Sequence, residues 1–410
     1  MSSTLLHKKA NFGTGPVFFT ALSTILGAIL FLRFGWAVGN VGFIGVMGIV
    51  LLGHLITIPT AMAVAEIATN QKVQGGGAYY IISRSFGLNI GGTIGITLYL
   101  SQAISVAFYI IALSEAFDPL LQFIDGKLGF LIPKKIIALI SMALLAFIVL
   151  RKGANVGMKA LYWVVAILLT SLVMFFLGSR GENQATTIDL YSKAQNPESF
   201  FYVFTIIFPA FTGLAAGLGL SGDLRDPKKS IPKGTIWATL AGLLVYIFVA
   251  YKLTTSASPD ELVNDQFIMS KIAIWGPIIP IGLAAASLSS ALGSILVAPR
   301  TLQAIGVDKI FPNAGMNKWL AYGQSGSNEP TYSSIVTVII AFFFVAIGDI
   351  NFVAEIISMF FMVTYGVICS ISFLEHFAAD PAYRPTFKSK WYISLIGAAL
   401  SFWVMFKMNT

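Results

Sequence analysis

Two glycines mark where this chain could do chemistry. Gly27 lies in FFTALSTILGAILFLR (Phe18–Arg33) and Gly213 in FYVFTIIFPAFTGLAAGLGLSG (Phe201–Gly222), nearly half the chain apart. Helix propensity falls at Thr24–Gly27 and Pro209–Gly213, because Gly costs about 1 kcal/mol relative to Ala and Pro about 3. Unwinding there frees carbonyls at the end of one half-helix and amides at the start of the next. Freed carbonyls suit cations, and amides at a positive dipole end suit anions. Close packing through small residues is the competing reading. Two interruptions at matching places, each beside Ser or Thr, favour a binding site. A third feature is the segment AAASLSSALGSILVAP, which crowds Ser287, Ser289, Ser290 and Ser294 together. Hydroxyl oxygens ligate hard cations without adding charge, although serines also act as interhelical glue. Spacing alone leaves those two open.

The elements that must hold these residues are membrane spans. The chain has 410 residues, of which 56% are hydrophobic and 11% charged, against about 25% charged in soluble domains. Eleven segments are long enough for a hydrocarbon core that needs roughly 20 residues. They lie near 16–39, 42–66, 89–117, 133–150, 159–179, 199–222, 234–254, 273–299, 333–350, 351–375 and 391–408. With no linker between them, they read as one all-α polytopic transporter domain over 1–410. Repeat one covers about 16–179 and repeat two about 199–375. An odd number of spans per repeat inverts the second. The eleventh span, 391–408, stands outside the pair, so a twelfth span and a C-terminal domain beyond residue 410 are an open question.

Most of the 26 Lys and Arg fall in segments on the N-terminal side of the membrane, among them Lys8, Lys9, Lys72, Arg84, Lys228 and Lys233. Most of the 18 acids fall on the other side. The positive-inside rule then sets a cytoplasmic N-terminus, and the cell membrane is the expected location. The net charge of +8 is a topology signal; nucleic acid is not an expected partner, since no basic stripe interleaves with aromatics. No signal peptide is expected, because His7, Lys8 and Lys9 precede a polar stretch. The single cysteine, Cys369, excludes an intrachain disulfide. Three scattered histidines support neither a metal site nor a hydrolytic triad, so an enzyme is not expected.

Charges inside spans are functional candidates. Arg33 lies in the outer half of the first span, and its expected partner is Glu115 near the outer end of the third; snorkelling is the alternative. His54 reads as a satisfied structural residue. The glycine-rich segment QGGGAYYIISRSFG (Gln74–Gly87) lacks the GxxxxGK[ST] of a phosphate loop and suits a hinge or short re-entrant turn. SGDLRDPKKSIPKGT (Ser221–Thr235) reads as a cytoplasmic turn able to gate an inner pathway.

GGGAYYIISRSFG, the run from FPAFTG to SGDLRDPKKSIPKGT, and SLSSALGSILVAPRTLQAI resemble the cation-chloride cotransporters, a branch of the amino acid–polyamine–organocation superfamily. The likeness extends from about Phe12 to the end. It implies a LeuT-like 5+5 inverted repeat with broken first and sixth helices, of which 11 spans are present here. By this resemblance the sodium site falls on Ser23, Leu26, Ala286, Ser289 and Ser290. The branch that does not use sodium lacks the second serine, so both serines favour sodium coupling. The potassium site falls on Thr24, Ile25, Tyr109, Pro209 and Thr212, with Thr24 standing where the family usually has Asn. One chloride site falls on the amides of Gly27, Ala28 and Ile29, and the other on Gly213, Leu214 and Ala215 with Tyr365. Arg33 and Glu115 match outer-gate positions, and a homodimer is an open expectation.

The resulting expectation is a symporter moving Na+ with Cl-, and K+ as an open third ion, by alternating access, with no cofactor. The alternative is a Na+-coupled amino acid symporter, in which a zwitterion's carboxylate occupies the amides at Gly27–Ile29.

Overall fold

The computed structural model describes residues 13–70, 78–129, 132–152, 158–179, 189–213, 224–324, 329–378 and 383–408. Each of the eleven apolar segments overlaps helix among the described residues. Seven helices among the described residues are long and apolar enough to cross a membrane, and Leu161–Leu177, Phe200–Phe211 and Thr331–Ile347 are shorter apolar helices. The first segment is split into α1 (Thr14–Ile25) and α2 (Ala28–Leu32) by a turn at Leu26–Gly27. Helix α3 (Phe34–Asn70) follows at once, kinked at Gly42, whose φ of 73° divides the first segment from the second. A side chain would be strained in that left-handed region. Gly87, with φ of 79°, divides α4 (Ala78–Glu115) in the same way. The stretch expected as a hinge or re-entrant turn is therefore a helical turn ending at a hinge glycine, with Gly75–Gly77 outside the described residues.

The chain continues through α5 (Asp118–Leu128), α6 (Lys134–Lys152), α7 (Met158–Leu177) and α8 (Phe200–Ile207). A 3-10 turn, Phe208–Phe211, closes α8, because Pro209 withholds a donor from the α ladder. Next come α9 (Pro227–Ser256), α10 (Pro259–Asn264), α11 (Ile268–Ile272), α12 (Ile278–Val307) and α13 (Ala314–Leu320). The last three are α14 (Thr331–Ile347), α15 (Ile350–Ala378) and α16 (Trp391–Met408). Helix α12 starts several residues later than the segment 273–299 predicts, because Gly276 and Pro277 form a turn and a helix start.

Packing sorts the helices into two sets. In one, α3 and α1 both lie against α9; in the other, α4 lies against α12, α14 and α6. Few contacts join α3 to α4 or α1 to α12, while α15 touches both sets. Helix α16 packs on α15 and α3 through a buried polar cage. Glu66 of α3, 1% exposed, accepts hydrogen bonds from Ser372 (3.0 Å) and Ser389 (2.5 Å), and Ser394 closes the ring 2.9 Å from Ser372. His376 Nδ1 lies 2.7 Å from Ser372 O and Nε2 lies 3.0 Å from Ser389 O, with Nε2 3.5 Å from Glu66. The cage thus surrounds the buried Glu66 carboxyl with hydroxyl donors, as burial of a polar group requires.

Candidate functional site

The two interruptions meet. A Cβ on Gly213 would lie 2.7 Å from Ala21 O and 2.9 Å from Ile25 N, so the end of the 3-10 turn rests directly on the last turns of α1. A Cβ on Gly27 would lie 2.7 Å from Thr24 O and 3.5 Å from Ser23 O. Only glycine lets the chain fold this closely over those two carbonyls. Beyond it, the N–H groups of Ala28 and Ile29 open α2 and have no helical partner by construction. The first break therefore presents carbonyls on one side and amides on the other. At the second break, Thr212 caps the 3-10 turn. Leu214 and Ala215 lie outside the described residues.

The hydroxyls of the breaks spend their protons on the helix. Ser23 Oγ and Thr24 Oγ1 donate to Thr20 O at 3.1 and 3.0 Å, and Thr212 Oγ1 donates to Pro209 O at 2.8 Å. Each oxygen keeps lone pairs able to accept or ligate. Three phenols converge here from three helices. Tyr246 of α9 donates to Ile25 O at 2.6 Å, and Tyr365 of α15 donates to Thr212 O at 3.0 Å. Tyr109 of α4 lies close enough to interact electrostatically with both. Tyr246 is absent from the sequence-predicted set. Nothing in its surroundings, LLVYIFVAYK, distinguishes it from the apolar run around it.

Tyr246→Phe is expected to leave Ile25 O unpaired among the described side chains and lower stability by about 1–3 kcal/mol, the usual cost of orphaning a buried acceptor. Thermal unfolding in detergent reads this directly. An unchanged midpoint would mean that water or an ion replaces the phenol.

On α12, Gly282, Ala286 and Ser290 share one row at i, i+4 and i+8. A Cβ on Gly282 would meet Ser171 Oγ of α7 at 2.6 Å and Phe31 Cζ of α2 at 3.5 Å, so this row begins where α12 packs on both α7 and the first broken helix. Among the described residues, neither Ser290 Oγ nor Ser287 Oγ, both buried, has a hydrogen-bond partner. Ser289, one position away, is half-buried. Buried hydroxyls are nearly always paired, and these two oxygens keep their lone pairs unspent.

Toward the outer end, Arg33 does not pair directly with Glu115. Its Nε donates to Asn351 Oδ1 at 2.8 Å and its Nη1 to Gln266 Oε1 at 3.1 Å. Gln266 Nε2 in turn donates to Glu115 Oε2 at 3.0 Å. Lys134 Nζ holds Glu115 at 2.9 Å and Asp118 at 2.8 Å. The expected pair is a relay, because Lys134 reaches the carboxylate first and the Gln266 amide fills the remaining gap. His54 matches its structural reading: Nδ1 lies 2.8 Å from Val50 O and the ring packs on Phe211. Among the described residues, no group of three or more His, Cys, Asp or Glu could hold a metal.

The amino acid permease family profile matches residues 16–410. This chain belongs to that family. It is therefore a multi-pass membrane transporter and not an enzyme. It is 34% identical to mouse (Mus musculus) solute carrier family 12 member 1 over 94% of its own length and 40% of that protein's. Identity to human (Homo sapiens) solute carrier family 12 member 2 is 32% over 94% of the chain and 36% of that protein. The dogfish (Squalus acanthias) member 2 shows 32% over the same shares. The chain spans about two fifths of the length of these relatives. The superfamily is the one that the sequence motifs imply.

Proposed function

We propose that this transporter is a secondary active symporter that moves sodium with chloride, and potassium as a third ion, by alternating access. The observation that carries the reading is the buried hydroxyl of Ser290, which has no hydrogen-bond partner among the described residues and lies on the row of α12 that starts beside α7 and the broken first helix. Ser290 lies eight residues beyond Gly282, and Ser23 lies eight residues before Phe31. In the eleven-span, 5+5 inverted-repeat topology these helices run in opposite directions. Both residues then lie about 12 Å inward of the Gly282–Phe31 contact, at about 1.5 Å rise per residue. Sodium there would take oxygens from Ser23, Leu26, Ala286, Ser289 and Ser290. Hard cations take oxygen ligands of this kind.

Potassium would lie between the breaks, among Thr24, Ile25, Tyr109, Pro209 and Thr212. Chloride would accept the amides of Gly27, Ala28 and Ile29, and separately those of Gly213, Leu214 and Ala215 with the Tyr365 hydroxyl. The Arg33–Gln266–Glu115 relay would close the outer side. The set of α1, α3 and α9 would tilt against the set of α4, α6, α12 and α14, with the N-terminus cytoplasmic in the cell membrane. A bound anion offsets cation charge, which lowers the cost of carrying both through low dielectric.

One observation favours a second reading: the profile that matches describes amino acid permeases. On that reading a substrate carboxylate would take the place of chloride at Gly27–Ile29. Tracer flux in liposomes with one ion varied at a time separates the two. Chloride-dependent sodium uptake that is lost in Ser289→Ala is expected. Uptake indifferent to chloride but driven by an amino acid would replace the first reading with the second.

A further inference from the structure

The start of α9 carries a basic cavity that the transport site does not use. It encloses about 360 Å³ and is lined by Lys228, Lys229 and Lys233 with Ile236, Trp237 and Phe387. The three lysines are exposed, and none has an ion-pair partner among the described residues. The local acid, Asp226, instead caps the helix by accepting from Lys229 N at 3.3 Å. The helix end is thus already satisfied, and the unspent positive charge is that of the side chains. Three like charges held together without a counterion are a cost that an anion would remove.

The helix itself says what kind of anion fits. Continuing from the cavity, α9 exposes Trp237, Leu244 and Phe248 along an apolar span. Spaced by seven and eleven residues, they form one stripe facing the hydrocarbon. Lys233 and Leu244 are about 16 Å apart along the axis at about 1.5 Å per residue, a distance that an acyl chain can follow. A phosphate at the lysines with tails along the stripe satisfies both ends, which a soluble anion would not.

We propose that this cavity binds an anionic phospholipid of the leaflet on the N-terminal side. Its place gives it leverage on the transport helices. A Cβ on Gly234 would lie 2.6 Å from Val17 Cγ1, and Thr14 Oγ1 lies 3.4 Å from Ser230 Oγ. The lipid would therefore sit on the turn of α9 that packs against the start of α1.

Native mass spectrometry of the purified full chain, incubated with phosphatidylglycerol or phosphatidylcholine, tests this without reference to the ions carried. Each lysine near an anionic surface contributes roughly fivefold, so phosphatidylglycerol should be retained about a hundredfold better than phosphatidylcholine. The triple variant Lys228→Gln/Lys229→Gln/Lys233→Gln should lose that preference, and the corresponding triple Arg variant should keep it. Equal retention of the two lipids by the unaltered protein overturns the proposal, as does an unchanged preference in the Gln variant. Displacement of phosphatidylglycerol by excess inorganic phosphate also overturns it, reassigning the cavity to a soluble anion.

Discussion

Ser290→Ala is expected to raise the sodium concentration for half-maximal uptake by about tenfold to a hundredfold, the equivalent of losing about 1.4–3 kcal/mol of charge-assisted contact. Its thermal stability in sodium-free buffer should not fall. The hydroxyl has no partner among the described residues, so removing it strands no donor or acceptor there, and an alanine is the better occupant of a dry helix interior. This combination separates a ligand from interhelical glue. Glue would be lost in both assays, with stability falling whether or not sodium is present. Sodium-dependent thermal shift, measured on the purified variant, reads both quantities in one titration. An unaltered sodium response would remove Ser290 from the site.

Gly213→Ala is expected to abolish uptake and lower stability by about 1–3 kcal/mol, the usual cost of forcing a methyl group into a packed interior. The new carbon would meet backbone, Ala21 O at 2.7 Å and Ile25 N at 2.9 Å, and backbone cannot rotate away as a side-chain tip can. Both breaks would be pushed apart by one substitution. Gly293→Ala supplies the control. A Cβ there meets nothing within 4 Å, and α12 should gain up to about 1 kcal/mol in helix propensity. If the two variants behaved alike in thermal unfolding and in uptake, the close crossing of the breaks would not be what holds the site.

The breaks were legible in the sequence because Gly and Pro act locally: propensity drops where they stand, whatever lies around them. The helix positions were legible for the same reason, since long apolar runs need no partner to be recognised. What could not be read were choices among competing partners. Glu115 faces both Arg33 and Lys134 in sequence terms, and only the fold shows that Lys134 and Gln266 take it. The cage around Glu66 draws Ser372, Ser389 and Ser394 from positions more than 300 residues away, and no periodicity links them. Tyr246 was hidden because an aromatic in an apolar run gives no sign that its hydroxyl seeks a freed carbonyl. The serines of α12 stand between these cases. Their crowding was visible, but the orphaned hydroxyl that tells a ligand from glue is a property of the packed helix.

The uneven packing of the two helix sets has a consequence for energy coupling. A tilt of one set against the other would leave the packing inside each set intact, as close-packed interiors require. The two arrangements would then differ in the contacts that cross between the sets, those of α15 among them. Shifting such an equilibrium from 1:99 to 99:1 takes about 5.5 kcal/mol of preferential binding. Two or three ions, at about 2–3 kcal/mol each, would on the proposed mechanism supply that together, where one ion alone would leave a mixture. On the proposed mechanism, obligatory co-transport needs no dedicated interlock. A partly loaded carrier hesitates between its two faces, and a full load commits it.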